Sequence, residues 1–220
     1  RTMVTQDDVV LNDFDSFKKT STEDEKAYID LVNKGIKEIT KENLEKVVVS
    51  RVVEIKESNK DVILIFKRLL LANNSAFVYC WYHPKVGLWL GATPETLLKV
   101  EGNEFSTMAL AGTQKFMGTM DVRWTDKEVN EQQIVTDYLK SNLDPITNKL
   151  TVSPSQTIRA GNLLHIQNEL RGSIHGIKSG LQKLIYTLHP TPAVCGFPKI
   201  EAMQFILDNE HYNREFYTGF

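Results

Sequence analysis

The stretch Gly91-Ala92-Thr93-Pro94-Glu95-Thr96-Leu97-Leu98-Lys99-Val100, followed by Glu101-Gly102-Asn103 and Glu104-Phe105-Ser106-Thr107-Met108-Ala109-Leu110-Ala111-Gly112-Thr113, decides how the rest of the chain is read. Two short apolar runs flank a turn rich in Gly and Asn, a pattern that predicts a β-hairpin. One end carries a single carboxylate, Glu95, behind a proline. The other runs into the small residues Ala111-Gly112-Thr113, where backbone can approach a ligand closely. An acid from one strand and uncovered backbone N–H groups from the other would make half of a site for an anionic substrate.

Composition narrows what that substrate can be. The chain has 220 residues and a net charge of −2, enough for one substantial core and too little charge imbalance to attract nucleic acid or acidic lipid. Nucleic acid and membrane are therefore not expected partners, and an anion must be held by local groups or by a metal. No apolar run is long enough to span a bilayer, and the first residues lack the apolar core of a signal peptide. Cys80 and Cys195 have no metal-ligand spacing and read as reduced packing residues of a cytoplasmic protein. The chain is expected to be a monomer. It opens on Arg1 and stops at Tyr217-Thr218-Gly219-Phe220, so residues 1–220 are expected to be a fragment, one partial domain.

Outward from the hairpin, Thr22 with Glu25 predicts a capping box. The helix after it carries Tyr28, Leu31, Val32, Ile36 and Ile39 at helical spacing, a face expected to lie on a sheet. The β-branched run Lys46 to Val53 predicts a strand in which Lys46, Val48 and Ser50 share one face. Lys46 either points into a pocket or is a solvated residue at a helix-to-strand junction; lysine is rarely buried unless paired. A second helix is expected from Asn59 or Lys60 to Ala72, then strands at 76–82 and 88–90, with His83 exposed in the turn between them. Thr125-Asp126 caps a third helix. On it Glu128 and Glu131, at i and i+3, share a face; they suit a hard cation such as Mg²⁺ or are an acidic first turn favoured by the helix dipole. Strands are expected at 150–153, 156–160 and 163–170, with His165 facing away from Leu164 and Ile166, as a structural group or a functional one. A helix from Ile177 to Leu188, a loop stiffened by three prolines at 189–198, and a helix from Lys199 to Asn209 complete the pattern. Helices and strands do not alternate regularly, which favours α+β over a doubly wound sheet.

In order along the chain stand Lys-Val-Val-Val-Ser-Arg at 46–51, Gly-Ala-Thr-Pro-Glu at 91–95, Ala-Leu-Ala-Gly-Thr at 109–113 and Lys-Glu-x-x-Glu at 127–131. Leu-Leu-His-Ile at 163–166, His-Pro-Thr-Pro-Ala-Val-x-Gly-x-Pro at 189–198 and Asn-Arg-Glu at 213–215 follow. From about Lys46 onward this resembles the chorismate-utilising enzymes, most closely their isochorismate synthase branch. The resemblance implies an α+β fold of large antiparallel β-sheet layers with helices packed on the outside. It implies Lys46 as the general base that activates water and Glu95 as the general acid that protonates the departing C4 hydroxyl of chorismate. It further implies Ala111, Gly112, Thr113, His165, Thr191, Ala193 and Arg214 as substrate-pocket residues, and Glu131 with Glu128 beside it as half of a Mg²⁺ site.

Chorismate is a dicarboxylate, so a nearly neutral protein would use Mg²⁺ to offset one carboxylate. Attack of water at C2 with loss of the C4 hydroxyl needs a base and an acid poised near neutral pH. Relatives that use ammonia lack a lysine at the place of Lys46, and aminodeoxychorismate synthase has a nucleophilic lysine at the place of Ala111. Water is thus the expected nucleophile and isochorismate the expected product, for menaquinone or siderophore synthesis. Salicylate synthase, which also eliminates pyruvate, shares these features. A truncated, non-catalytic chorismate-binding module is the other alternative, because the family's C-terminal part, with further substrate and metal residues, is expected beyond Phe220.

Overall fold

In chain order the elements are α1 (Thr22–Thr40), β1 (Lys46–Val47), α2 (Val62–Ala72), β2 (Phe77–His83), β3 (Gly87–Thr93), β4 (Lys99–Glu101) and β5 (Glu104–Lys115). Then come α3 (Asp126–Leu143), a 3₁₀ turn (Asp144–Ile146), β6 (Asn148–Val152), β7 (Gln156–Ala160), β8 (Leu163–Ser173), α4 (Ile177–Leu188), β9 (Gly196–Phe197) and α5 (Lys199–Asn209). This computed structural model describes residues 22–54, 61–74, 76–174 and 177–219. The expected helix start at Asn59 or Lys60 lies outside them; α2 is capped by Asp61, whose carboxylate accepts from the N–H groups of Ile63 and Leu64.

The decisive hairpin forms at its turn. Lys99 pairs with Ser106 and Glu101 with Glu104 around Gly102-Asn103, and Gly102 takes the left-handed conformation at φ 61°. The flanks differ from expectation. Gly91–Thr93 belongs to β3, paired antiparallel with β2 in a separate two-stranded sheet. Pro94, which has no N–H to donate, stands where that ladder ends, so Glu95 lies in the link between two sheets and not on a strand of the central hairpin. At the other end β5 does not stop at Ala111-Gly112-Thr113. It passes through a bulge between Ala111 and Gln114 and continues to Lys115.

β5 and β8 form the spine of a five-stranded antiparallel sheet, with β4 beyond β5 and both β6 and β7 on β8. Alternation puts Phe105, Thr107, Ala109 and Ala111 of β5 opposite Gly172, Leu170, Asn168 and Ile166 of β8. All eight are buried, and α3 and α4 close over this face: Val135, Leu139, Leu143, Leu184 and Leu188 are each 0 % exposed in the main core. Burial of such side chains is worth about 1.5–3 kcal/mol each, which makes this layer the rigid part of the protein.

A second, smaller core joins Leu44, Cys195, Ala202, Phe205 and Ile206, with Leu31, Val47 and Val49 at its edge. Here two expectations fail. α1 does not lie on a sheet: its buried residue is Gly35, where a Cβ would stand 3.0 Å from Val47 Cγ1 and 3.8 Å from Phe205, while Ile36 and Ile39 are 55 % and 38 % exposed. The strand expected over Lys46–Val53 pairs at only two residues, Lys46 with Phe197 and Val47 with Gly196. A β-branched run supplies the propensity for a strand but not a partner; from Val48 on, the chain is extended and its backbone groups bond elsewhere.

Candidate functional site

Lys46 reaches its position because β1 is threaded through the proline-rich loop. Glu45 N–H donates to Phe197 O at 2.9 Å and Val48 N–H to Cys195 O at 2.8 Å, bracketing the two-residue ladder. Gly196 makes the approach possible. Its φ is +143°, and a Cβ there would lie 2.3 Å from Lys46 O and 2.9 Å from Val47 Cα, so no other residue fits without moving β1. The Lys46 side chain is 11 % exposed, and its Nζ meets Glu131 Oε1 at 2.9 Å. That contact is an ion pair without hydrogen-bond alignment, and the buried Nζ has no aligned acceptor. Lys46 is buried and paired, and not solvated at the helix-to-strand junction.

Glu95 sits just past β3, where Thr93 Oγ1 accepts from its N–H at 3.3 Å. It lines a cavity of about 920 Å³ walled by Tyr79, Trp81, Trp89 and Phe216. Trp81 and Trp89 stack at 6.3 Å, and Phe216 meets both edge-on. Although the residue keeps some exposed surface, burial of its carboxyl pushes its pKa up to about 7, against the opposing pull of the Lys46 charge. A carboxyl at that value holds its proton through the lower half of the physiological range, and its coupling to Lys46 puts the two groups in one electrostatic neighbourhood.

The first turn of α3 meets the β5 bulge. Gly112 has φ +69°, and a Cβ there would approach Glu128 Cβ and Ile166 Cδ1 to 3.3 Å. The close packing of α3 on the bulge thus favours a small residue here. Gly112 O lies 2.9 Å from His165 Nδ1, which is also 3.3 Å from Thr113 Oγ1. His165 does face away from Leu164 and Ile166, which are 0 % and 5 % exposed. Glu128 Oε2 takes Thr125 N–H at 2.8 Å, Thr125 Oγ1 at 2.9 Å and Gln114 Nε2 at 3.2 Å. These bonds, that from the Thr125 backbone foremost, hold its carboxyl below the usual range despite a small opposing effect of burial. The spacing Thr125-x-x-Glu128 is a capping box, a signal legible in the sequence. Behind Glu131, Gln132 donates to Thr136 Oγ1 and Asn168 Oδ1, tying α3 to β8 through buried polar groups.

Two carboxylates on one helix face are the donor type Mg²⁺ prefers, and Glu128 Oε1 takes none of the capping bonds. Among the described residues, no cluster of three or more His, Cys, Asp or Glu gathers to hold a metal, so Glu131 and Glu128 fit as part of a cation's shell and not as the whole of it.

The remaining candidates are placed as follows. Ala111 is 8 % exposed within the main core. Thr191 is buried, and its carbonyl accepts from the N–H groups of Val194 and Cys195 in a tight turn. Ala193 packs against the main core. Arg214 is tied into the fold: Nε and Nη2 bond both oxygens of Glu210 at 2.7 and 2.6 Å, Nη1 donates to Val194 O at 3.0 Å and Nη2 to Val48 O at 2.8 Å. With four of its five N–H donors engaged inside the protein, it acts as a structural tether at the place where a substrate contact was expected. Glu210, Ser50 and Gly196 were not singled out from the sequence, although the i, i+4 spacing of Glu210 and Arg214 is a readable pairing signal.

A family model described as "Chorismate binding enzyme" matches residues 3–220. The chain belongs to this family. It is 31 % identical over 186 residues to the isochorismate synthase EntC of Escherichia coli (strain K12), covering 80 % of this chain and 47 % of that protein. The solved structure of DhbC from Bacillus anthracis, described as a 2,3-dihydroxybenzoate-specific isochorismate synthase, superposes with a TM-score of 0.80 at 26 % identity over 89 % of this chain and 56 % of that one. MenF, the menaquinone-specific isochorismate synthase of Escherichia coli, shares the fold at a TM-score of 0.68 and 24 % identity, over 87 % of this chain and 46 % of that one. The fold is thus the α+β fold of the chorismate-utilising enzymes, and the chain spans about half the length of the relatives it matches. Among the described residues no helix is long and apolar enough to cross a membrane.

Proposed function

We propose that the protein carrying this chain is an isochorismate synthase. The observation that carries the reading is a buried lysine, Lys46, held at Glu131, whose charge is felt by a carboxyl poised near pH 7, Glu95. Lys46, once its ammonium has released a proton to solvent, takes a proton from a water as its oxygen bonds to C2 of chorismate. The ring double bond shifts, the C4–O bond breaks, and Glu95 gives its proton to the departing hydroxide, which leaves as water. One water enters and one leaves, so chorismate and isochorismate are isomers.

Gly112, Thr113, His165, Thr191 and Ala193 are the candidate pocket residues around the ring, with Ala111 forming wall and offering no amine. Glu131, with Glu128 beside it, would hold Mg²⁺. When bound, the ion offsets the charge of a substrate carboxylate, while Glu131 also fixes Lys46 through their ion pair. The names of the similar proteins support isochorismate as product.

The test is product analysis of the intact protein with chorismate and Mg²⁺. Isochorismate without pyruvate is expected. Stoichiometric pyruvate and salicylate would assign salicylate synthase instead, and chorismate binding without product would leave a binding module.

A further inference from the structure

The catalytic reading leaves one buried charged pair without a task. Glu210 is the extended residue that follows α5, and Arg214 lies four residues on; their side chains are 2 % and 16 % exposed. A buried ion pair is seldom the most stabilising filling for its volume, because desolvation offsets the attraction. Its value must lie in what it holds.

What it holds is the strand that carries Lys46. Past Val47 the sheet ladder ends, so Val48 C=O and Ser50 N–H have no strand partner. Arg214 Nη2 donates to Val48 O at 2.8 Å, and Glu210 Oε1 accepts from Ser50 N–H at 2.7 Å and from Ser50 Oγ at 3.0 Å. Tyr212 OH reaches the same Ser50 hydroxyl at 2.6 Å. Through Nη1, Arg214 also grips Val194 O of the proline-rich loop at 3.0 Å. One guanidinium therefore bridges the two backbone segments that leave the β1–β9 ladder at the same end, two residues beyond Lys46. Cavities of about 470 Å³ and 720 Å³, both lined by Glu210 and Tyr212, adjoin this point, so on this side the segment is supported by hydrogen bonds, while Val47 and Val49 pack on the small core. The hydrogen bonds from Arg214 and Ser50 hold the Glu210 carboxyl below its usual range although burial, the largest single influence, pushes it up; the acceptor stays ionised and keeps all its donors.

We propose that Glu210 and Arg214 are positioning residues for Lys46, a charged clamp that replaces the missing ladder and sets where the ammonium meets Glu131 and Glu95. The catalytic consequence rests on the function proposed above; the clamp itself does not. Lysine cannot reproduce the fork that reaches Glu210, Val48 and Val194 together, so Arg214→Lys in the intact protein is the first probe.

Three measurements are made: hydrogen exchange across residues 46–50, labelling of Lys46 by an amine-reactive reagent, and kcat with KM. Arg214→Lys is expected to stay folded and to speed exchange at Ser50 at least about tenfold, as local opening becomes easier. Lys46 labelling should rise with it. Turnover should fall by up to about 10²-fold, the loss that a misplacement near 1 Å brings, with KM within about twofold. Should Arg214→Lys fail to fold, Glu210→Gln is judged by the same criteria. Unchanged exchange and labelling would overturn the proposal. So would faster exchange with undiminished kcat in a protein whose Lys46→Ala variant is inactive, and so would a raised KM at constant kcat, the signature of a substrate-binding arginine. If Lys46→Ala turns over like wild type, the functional reading of Lys46 falls; exchange and labelling then decide the clamp alone.

Discussion

Glu131 stands on an eighteen-residue helix packed across a five-stranded sheet, whereas Lys46, 2.9 Å away, stands on a strand of two residues. The first region is held by a long ladder, from Glu104 opposite Ser173 to Lys115 opposite Leu163 with one bulge between Ala111 and Gln114, and by side chains wholly removed from water. The second is held by point contacts: one glycine that lets two backbones touch, and one arginine that ties them. Repetition makes the first tolerant, since losing one contact leaves many. The second has no redundancy, so small changes there should reach the site.

The largest expected effect is on the chemistry. Lys46→Ala and Glu95→Gln in the intact protein should each lower turnover by ~10²–10⁴-fold, the usual worth of a general base or acid, with chorismate affinity by calorimetry nearly unchanged. Near-wild-type rates in either variant would remove that residue from the mechanism.

Next come the cores. Leu139→Ala, at 0 % exposure in the main layer, should cost about 2–5 kcal/mol in denaturant unfolding. Leu44→Ala, in the small cluster, should cost less overall yet expose residues 46–48 to hydrogen exchange first. Equal exchange profiles for the two variants would mean that the two regions open as one unit.

Glycines sharpen the contrast at constant chemistry. Gly196→Ala drives a Cβ into Lys46 O, whereas Gly172→Ala meets chiefly the Phe105 ring, at 2.9 Å, a side chain that can tilt. Gly196→Ala should be the more destabilising of the two, near the upper end of the roughly 1–3 kcal/mol of overpacking, and it should also depress turnover. Parity between them in both stability and rate would refute the glycine-dependent placement of β1.

Smaller again is Glu131→Gln. Its side chain is 36 % exposed and packs little, but its loss leaves the Lys46 ammonium, 11 % exposed, without its counter-ion, so stability should fall by about 1–3 kcal/mol while the Mg²⁺ concentration for half-activity rises. A severe loss of melting temperature with unchanged Mg²⁺ dependence would make Glu131 structural.

The finest test is pH. The Glu95 pKa is raised to about 7 in the fold, so the folded state binds that proton more tightly than the unfolded chain. Its contribution to stability is full below the ordinary glutamate value of about 4.3 and is lost as pH rises through about 7. Melting of Glu95→Gln relative to wild type should therefore improve from about pH 4 to about pH 7 and level off above it, and wild-type turnover should decline as pH rises through about 7. Glu210 is shifted the other way, so its contribution is present above the ordinary value and fades as acid is added. Loss of the clamp should appear only toward the acid end.

By itself the sequence determined the regular part of this protein. Alternation along 104–111 and 163–170, the Gly102-Asn103 and Gly161-Asn162 turns, and the apolar periodicity of α3 and α4 are local signals, and local physics sets them. It also carried the ordered motifs through which Lys46, Glu95, Glu131 and His165 were named together. What only the tertiary structure decided is where those residues stand. Strand propensity ran on to Val53, but pairing stopped at Val47, because a ladder needs a partner and β9 supplies two residues. Glu128 was visible as an acid, yet its carboxylate closes the helix cap because Gln114 of the β5 bulge arrives beside it. Arg214 was grouped with substrate contacts, but folding brings Val48 and Val194, 166 and 20 residues away in the chain, within reach of its donors. Contacts at such separations are fixed by how the layers meet, and that information lies in the packing of many residues together and in no single motif.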